Sequence, residues 1–113
     1  MNNHAMASVL LAMLFGAHPA IAANGKITIS SPKEGATVAA GQKIKLSYMA
    51  DTGYGGDHLH LNVDGQRMDV LRQLKGTIEV DALAAGKHQL CLTVNTKGHS
   101  PTGVESCINV TAK

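Results

Sequence analysis

Wherever the chain beyond residue 23 shows a clear hydrophobic period, that period is two. Apolar residues alternate with polar ones, and Gly, Pro, Asn or Asp interrupts at short intervals, as in half-buried strands. No window supports a helix of ordinary length. The candidate strands are Lys26 to Ser30, Thr37 to Ala39, Gln42 to Met49, His58 to Val63, Gln66 to Arg72, Gly76 to Asp81, Lys87 to Asn95 and Val104 to Thr111. Asp64-Gly65, between two of them, predicts a tight type I′ hairpin, because both central residues of that turn need positive φ and Asp and Gly tolerate it. Short strands at this spacing, with no helices, predict an all-β fold, an immunoglobulin-like β-sandwich of about seven to eight strands. The Cys-Trp-Cys hallmark of antibody domains is missing, since the chain has no Trp.

The segment ahead of this pattern is different. From Ala5 to Ala23 runs AMASVLLAMLFGAHPAIAA, too short and too interrupted at His18-Pro19 for a membrane span, with a small-x-small site at Ala20-Ile21-Ala22. It reads as a secretory signal peptide over residues 1–22, leaving an Ig-like domain over 23–113 with no membrane span and a periplasmic or secreted location. About 90 residues make one small domain, which buries roughly 60 to 65% of the surface its unfolded chain exposes. All the charged residues lie in this part, the net charge is +2, and Lys and Arg are scattered singly, so neither nucleic acid nor an anionic membrane is indicated as a partner. Only Tyr48 and Tyr54 are aromatic there, which removes stacking platforms for bases or sugars.

In Ig order, Gln42 to Met49 becomes strand B, His58 to Val63 strand C, Gln66 to Arg72 strand C′, Gly76 to Asp81 strand E, Lys87 to Asn95 strand F and Val104 to Thr111 strand G. A hairpin of F and G centred on His99 opposes residues whose numbers sum to 198, and Cys91 with Cys107 satisfies that sum. Directly opposed residues of a non-hydrogen-bonded pair stand close enough for a disulfide, and an exported chain oxidises such a pair. If the thiols stayed reduced, Cys91 would be a candidate metal donor.

Alternation then assigns faces. Leu59, Leu61 and Val63 point to the core, and His58, His60 and Asn62 to the outer face, which they share with Cys91 and Cys107. In an Ig sandwich the B–C and F–G loops meet at one end, so His99 is brought toward His58 and His60. His88, at the start of F, belongs to the opposite end.

Two imidazoles at i and i+2 of a strand project from one face, and a third from a neighbouring loop completes a three-nitrogen set suited to Cu(II) or Zn(II). Asp57, Asp64 or water would fill what remains, and Met49 or Met68 would be a soft donor for Cu(I), Met49 being nearer the B–C loop. The plain alternative is that His58 and His60 are polar residues on the wet side of a sheet, that His99 is an ordinary loop residue, and that the methionines pack at the rim. A second function class is open as well: an interaction module that binds an exported protein or a glycan through Tyr54, Gly55, Gly56 and Ser100 in the two loops. An enzyme is not expected, because no nucleophile is set beside a base and an orienting acid.

The order SPKEGATV, DHLHLNVDG, LAAGKHQL, GHSPTG resembles a group of secreted bacterial Ig-like domains of unknown function, with a histidine-rich strand ending in Asp-Gly, a Gly-x-His-x-Leu strand and a His-x-Pro loop. The resemblance runs from about Ile27 to Val110. It implies an Ig-like fold and a periplasmic or surface location, and gives the histidines no established role. This chain departs from the group in having His-Leu-His where consecutive histidines are common, and in its cysteine pair.

Overall fold

The computed structural model of the protein describes residues 24–113, so the expected signal peptide at 1–22 lies outside the described residues. Eight strands follow one another: β1 (Lys26–Ser31), β2 (Ala36–Val38), β3 (Ile44–Asp51), β4 (His58–Val63), β5 (Gln66–Leu71), β6 (Lys75–Val80), β7 (Gly86–Asn95) and β8 (Pro101–Ala112). They form a three-stranded sheet, β1-β3-β6, and a five-stranded sheet, β2-β8-β7-β4-β5. This is the expected Ig-like sandwich, with β2 joining β8 in parallel and the other neighbours antiparallel.

The two sheets enclose one aliphatic core. Leu46 and Tyr48 of the smaller sheet meet Leu59, Leu61, Leu90, Leu92, Val94, Ile108 and Val110 of the larger, all buried. Burying a leucine of this kind contributes roughly 1.5–3 kcal/mol, so the inward side of β4 is strongly specified. The buried Tyr48 keeps its polar end satisfied by donating its hydroxyl to the Gln73 carbonyl at 2.7 Å.

Cys91 and Cys107 are paired directly across β7 and β8 and joined in a disulfide. Closing a loop of this length stabilises by about 3 kcal/mol in the chain-entropy model. The expected register holds from Gly86↔Ala112 to Thr93↔Glu105, then shifts, so that Asn95 meets Pro101. The shift moves the hairpin centre from residue 99 to residue 98 and sets His99 just past the tip.

At the far end, the Asp64-Gly65 turn has positive φ at both residues, 51° and 85°. Asp64 does more than turn the chain. Its carboxylate accepts from His88 Nδ1 at 2.6 Å and from the Gln89 amide at 2.8 Å, while His88 Nε2 donates to the Ala84 carbonyl at 2.7 Å. His88 is therefore a structural clasp, and with both ring nitrogens donating, its protonated form is favoured. The bond to Asp64, then that to Ala84, raises its pKa above the ordinary histidine value, and the same bond holds Asp64 below the usual carboxylate range.

The sign of the pH effect follows from that direction. A raised pKa means stability that is fully present below about pH 6.5 and lost as pH rises through the folded-state value. Thermal melts of His88→Gln against the parent chain are expected to differ most near pH 5.5 and to converge in mild alkali. An equal difference at both pH values would show that the charge of His88 contributes nothing.

Candidate metal centre

β4 lies between β5 and β7, with Leu59 and Leu61 committed to the core, so His58 and His60 face outward. Outward is not exposed here. His58 is 1% accessible and His60 6%, which tells against the alternative of two polar residues on a wet sheet face. The cover comes from the turn after β7. His99 donates its amide to the Thr96 carbonyl, and its φ of 68° lies in the left-handed region that few side-chain-bearing residues enter. That conformation, just past the shifted hairpin tip, accompanies a ring set edge-on to His58 and tilted to His60, with ring centres 4.6 and 5.3 Å away.

Three nitrogens converge. His58 Nε2 and His60 Nε2 are 3.0 Å apart, His58 Nε2 and His99 Nδ1 3.3 Å, and His60 Nε2 and His99 Nδ1 3.1 Å. The centre of such a triangle is about 1.8 Å from each corner. An ion at the usual Zn–N distance of about 2.0–2.1 Å therefore sits about 1 Å off the plane, with N–metal–N angles of about 100°, near the tetrahedral value. Three facial nitrogens and one open position are the outcome.

The protons on these rings favour a cation at the centre. His58 Nδ1 donates to Asp57 Oδ2 at 2.8 Å, which in the neutral ring leaves Nε2 as the lone-pair nitrogen that faces the triangle. Burial first, then positive charge on His58, Arg67 and His99, lowers the pKa of His60, which favours its neutral, metal-binding form. Lone pairs about 3 Å apart repel unless a proton or a metal ion lies between them. His58, His60 and His99 could hold such an ion with one ligand atom each.

The other candidates fall elsewhere. Asp57 is not a member of the donor set but its support. The hydrogen bond from His58, helped by the charges of Arg72 and Lys97, holds its carboxyl below the usual range against some desolvation. Arg72 Nη1 donates to the same oxygen at 3.4 Å. Asp57 stands where, in metal sites, an outer carboxylate fixes the tautomer and orientation of a ligating imidazole. Met49 alternates with the buried Leu46 and Tyr48, so it projects 55% exposed from the outer face of the three-stranded sheet, the side opposite the histidines. Met68 lies with Leu61, Val63 and Leu83 along the cleft between the sheets. Neither methionine can join. Cys91 and Cys107 gather with Glu105 on the histidines' side of the larger sheet, but their sulfurs are bonded to each other.

Of the loop candidates, Tyr54 is 94% exposed and Gly55 has φ 80°, while Ser100 is exposed and donates its amide to Thr96 Oγ1 at 3.2 Å. Gly56 is a matter of close approach: a Cβ there would stand 2.6 Å from both the Thr52 carbonyl and Val94 Cγ1. Only glycine lets the chain pass that close just before Asp57 and His58.

Asn95 escaped the sequence reading. It is buried at the end of β7, its backbone carbonyl accepts from the Asp57 amide at 2.9 Å, and its side-chain amide reaches the His99 carbonyl at 3.4 Å. Thr93 Oγ1 donates to its side-chain oxygen at 2.9 Å. One residue thus ties the segment ahead of β4 to the turn that carries His99. A polar residue ending a strand beside a histidine-bearing loop was the available signal, but an Asn in that place reads equally as a turn residue.

No family model and no curated protein matches this chain. Solved structures do. It is similar to the fibronectin(III)-like modules of Clostridium thermocellum CbhA, with TM-score 0.64 and 16% identity over 77% of this chain and 96% of that one. An endo-beta-1,4-mannanase from Thermotoga petrophila matches at TM-score 0.58 and 16% identity, over 80% of this chain and 20% of the enzyme. A Jonesia denitrificans lytic polysaccharide monooxygenase matches at TM-score 0.52 and 18% identity, over 74% and 61%. At these identities the likeness is one of fold, and it supports the Ig-like sandwich.

The role of Asp57 is open to measurement. Asp57→Ala is expected to lower affinity for Zn(II) or Cu(II) by roughly 10- to 100-fold in competition with a chelator, the usual worth of an outer carboxylate. Unchanged affinity would mean that His58 is oriented by packing alone.

Proposed function

We propose that this protein is a small exported metal-binding protein without enzymatic activity, which holds one transition-metal ion, copper before zinc, on His58, His60 and His99. The observation that carries the reading is the triangle of three imidazole nitrogens 3.0–3.3 Å apart, built from two elements far apart in sequence. The absence of a methionine or free thiol from the donor set favours borderline ions over Cu(I), and among divalent ions such a site binds Cu(II) most tightly. The apolar leader at residues 5–23 and the disulfide support export to the periplasm or beyond. The metal ion is then the cargo, and an exported protein its donor or recipient.

A second reading rests on Tyr54, whose exposure at the tip of the loop before β4 is unusual for a lone aromatic residue. There the protein is an interaction module that grips a protein or glycan with Tyr54, Gly55, Gly56 and Ser100. Chelators would leave that activity intact.

Titration of chelator-stripped protein with Cu(II) separates the two. One tight equivalent is expected, weakened in His60→Ala by more than the hundredfold upper end for an outer partner. Affinity should also fall as pH drops below about 6.5, because protons compete for the same nitrogens. Binding no tighter than that of the unfolded chain would return the histidines to a structural role and direct attention to Tyr54.

A further inference from the structure

Three nitrogens leave a fourth position, and no fourth donor joins the group among the described residues. His58 is sealed, but His60 and His99 border an open depression of about 620 Å³ on the outer face of the five-stranded sheet. A water accounts for about 30 Å³ of liquid, so there is space here for more than a bound water. The strand register fixes what surrounds the opening. Arg67 of β5 is paired with Asn62, two residues along β4 from His60 on the same face, which makes it a diagonal neighbour of His60. Thr93 faces His60 from β7, and Glu105 of β8 lies beyond Thr93. Arg67 forms no ion pair among the described residues.

We propose that the metal's fourth ligand is a small free carboxylate, bound through one oxygen to the ion and through the other to the Arg67 guanidinium. The inference rests on the three-histidine metal reading and names the ligand of that same site. A guanidinium is a planar, permanently charged fork of N–H donors that can be aimed at the oxygen the ion leaves free, and a cation on each side of one anion satisfies both charges. Asn62 adds a hydrogen-bonding group to the floor. Glu105 bounds the far side with a negative charge, so the ligand is held toward Arg67 and multiply charged anions are disfavoured.

The test uses the protein carrying one equivalent of Cu(II), titrated with acetate while the visible spectrum of the ion is followed. Chelator competition on the same sample reports separately whether Cu(II) is bound at all. The expected result is a saturable spectral shift and an acetate Kd raised roughly tenfold in Arg67→Ala, the loss of one charge-assisted hydrogen bond, with Cu(II) still bound at least as tightly as in the parent chain. Arg67→Lys should fall between, since it keeps the charge without the fork. A loaded protein whose spectrum ignores acetate, or an equal Kd in Arg67→Ala, overturns the proposal and leaves the metal site standing. Loss of Cu(II) binding itself overturns both. Sedimentation without added anion covers the remaining source: a copper-dependent dimer that acetate does not dissociate would assign the fourth ligand to a second chain and overturn the free-anion account.

Discussion

The registration of β4 between β5 and β7 is the constraint on which the rest depends. Leu59 and Leu61 are buried against the opposite sheet, and a slip of one residue would expose both and drive His58 and His60 into an apolar core. Removing a buried leucine costs roughly 2–5 kcal/mol, while turning an unpaired imidazole inward would leave its nitrogens without partners. Pairing on both sides makes that slip more costly still. The core therefore sets the side of the sheet to which the two histidines point, and the contact with Asp57 then orients the ring of His58.

What covers the histidines is of a different nature. The β7–β8 register shifts beyond Thr93, His99 takes a left-handed conformation, and Asn95 binds both the segment ahead of β4 and the carbonyl of His99. These are tertiary arrangements with little local signature. A backbone held in a sparsely populated region beside converging polar groups is a pattern that belongs to functional sites more than to plain turns. The opposite end of the sandwich shows the contrast: His88 also meets a carboxylate, but both of its nitrogens are spent on Asp64 and Ala84, which leaves no lone pair to offer.

The division between what could be read in advance and what could not follows the same line. Period-two alternation located the strands to within three residues at each end, and the arithmetic of one hairpin paired Cys91 with Cys107. The convergence of His58, His60 and His99 came from Ig topology alone. Burial of the first two was not legible, because it depends on how the 96–100 turn folds back over β4. Asp57 was visible as a carboxylate near the site, but whether it bonds a ring nitrogen or an ion depends on side-chain geometry no spacing encodes. Met49 lies near the B–C loop along its strand, but alternation with the buried Leu46 and Tyr48 already puts it on the far face of the smaller sheet.

The central claim is that one ion sits on three imidazoles, with Asp57 behind His58 and no sulfur donor among the described residues. X-ray absorption at the metal edge of the Cu(II)- or Zn(II)-loaded protein reads that claim directly. The account predicts multiple-scattering from three imidazoles with nitrogen at about 2.0 Å and one further light ligand. A sulfur neighbour at about 2.3 Å, or fewer than three imidazoles, would contradict it.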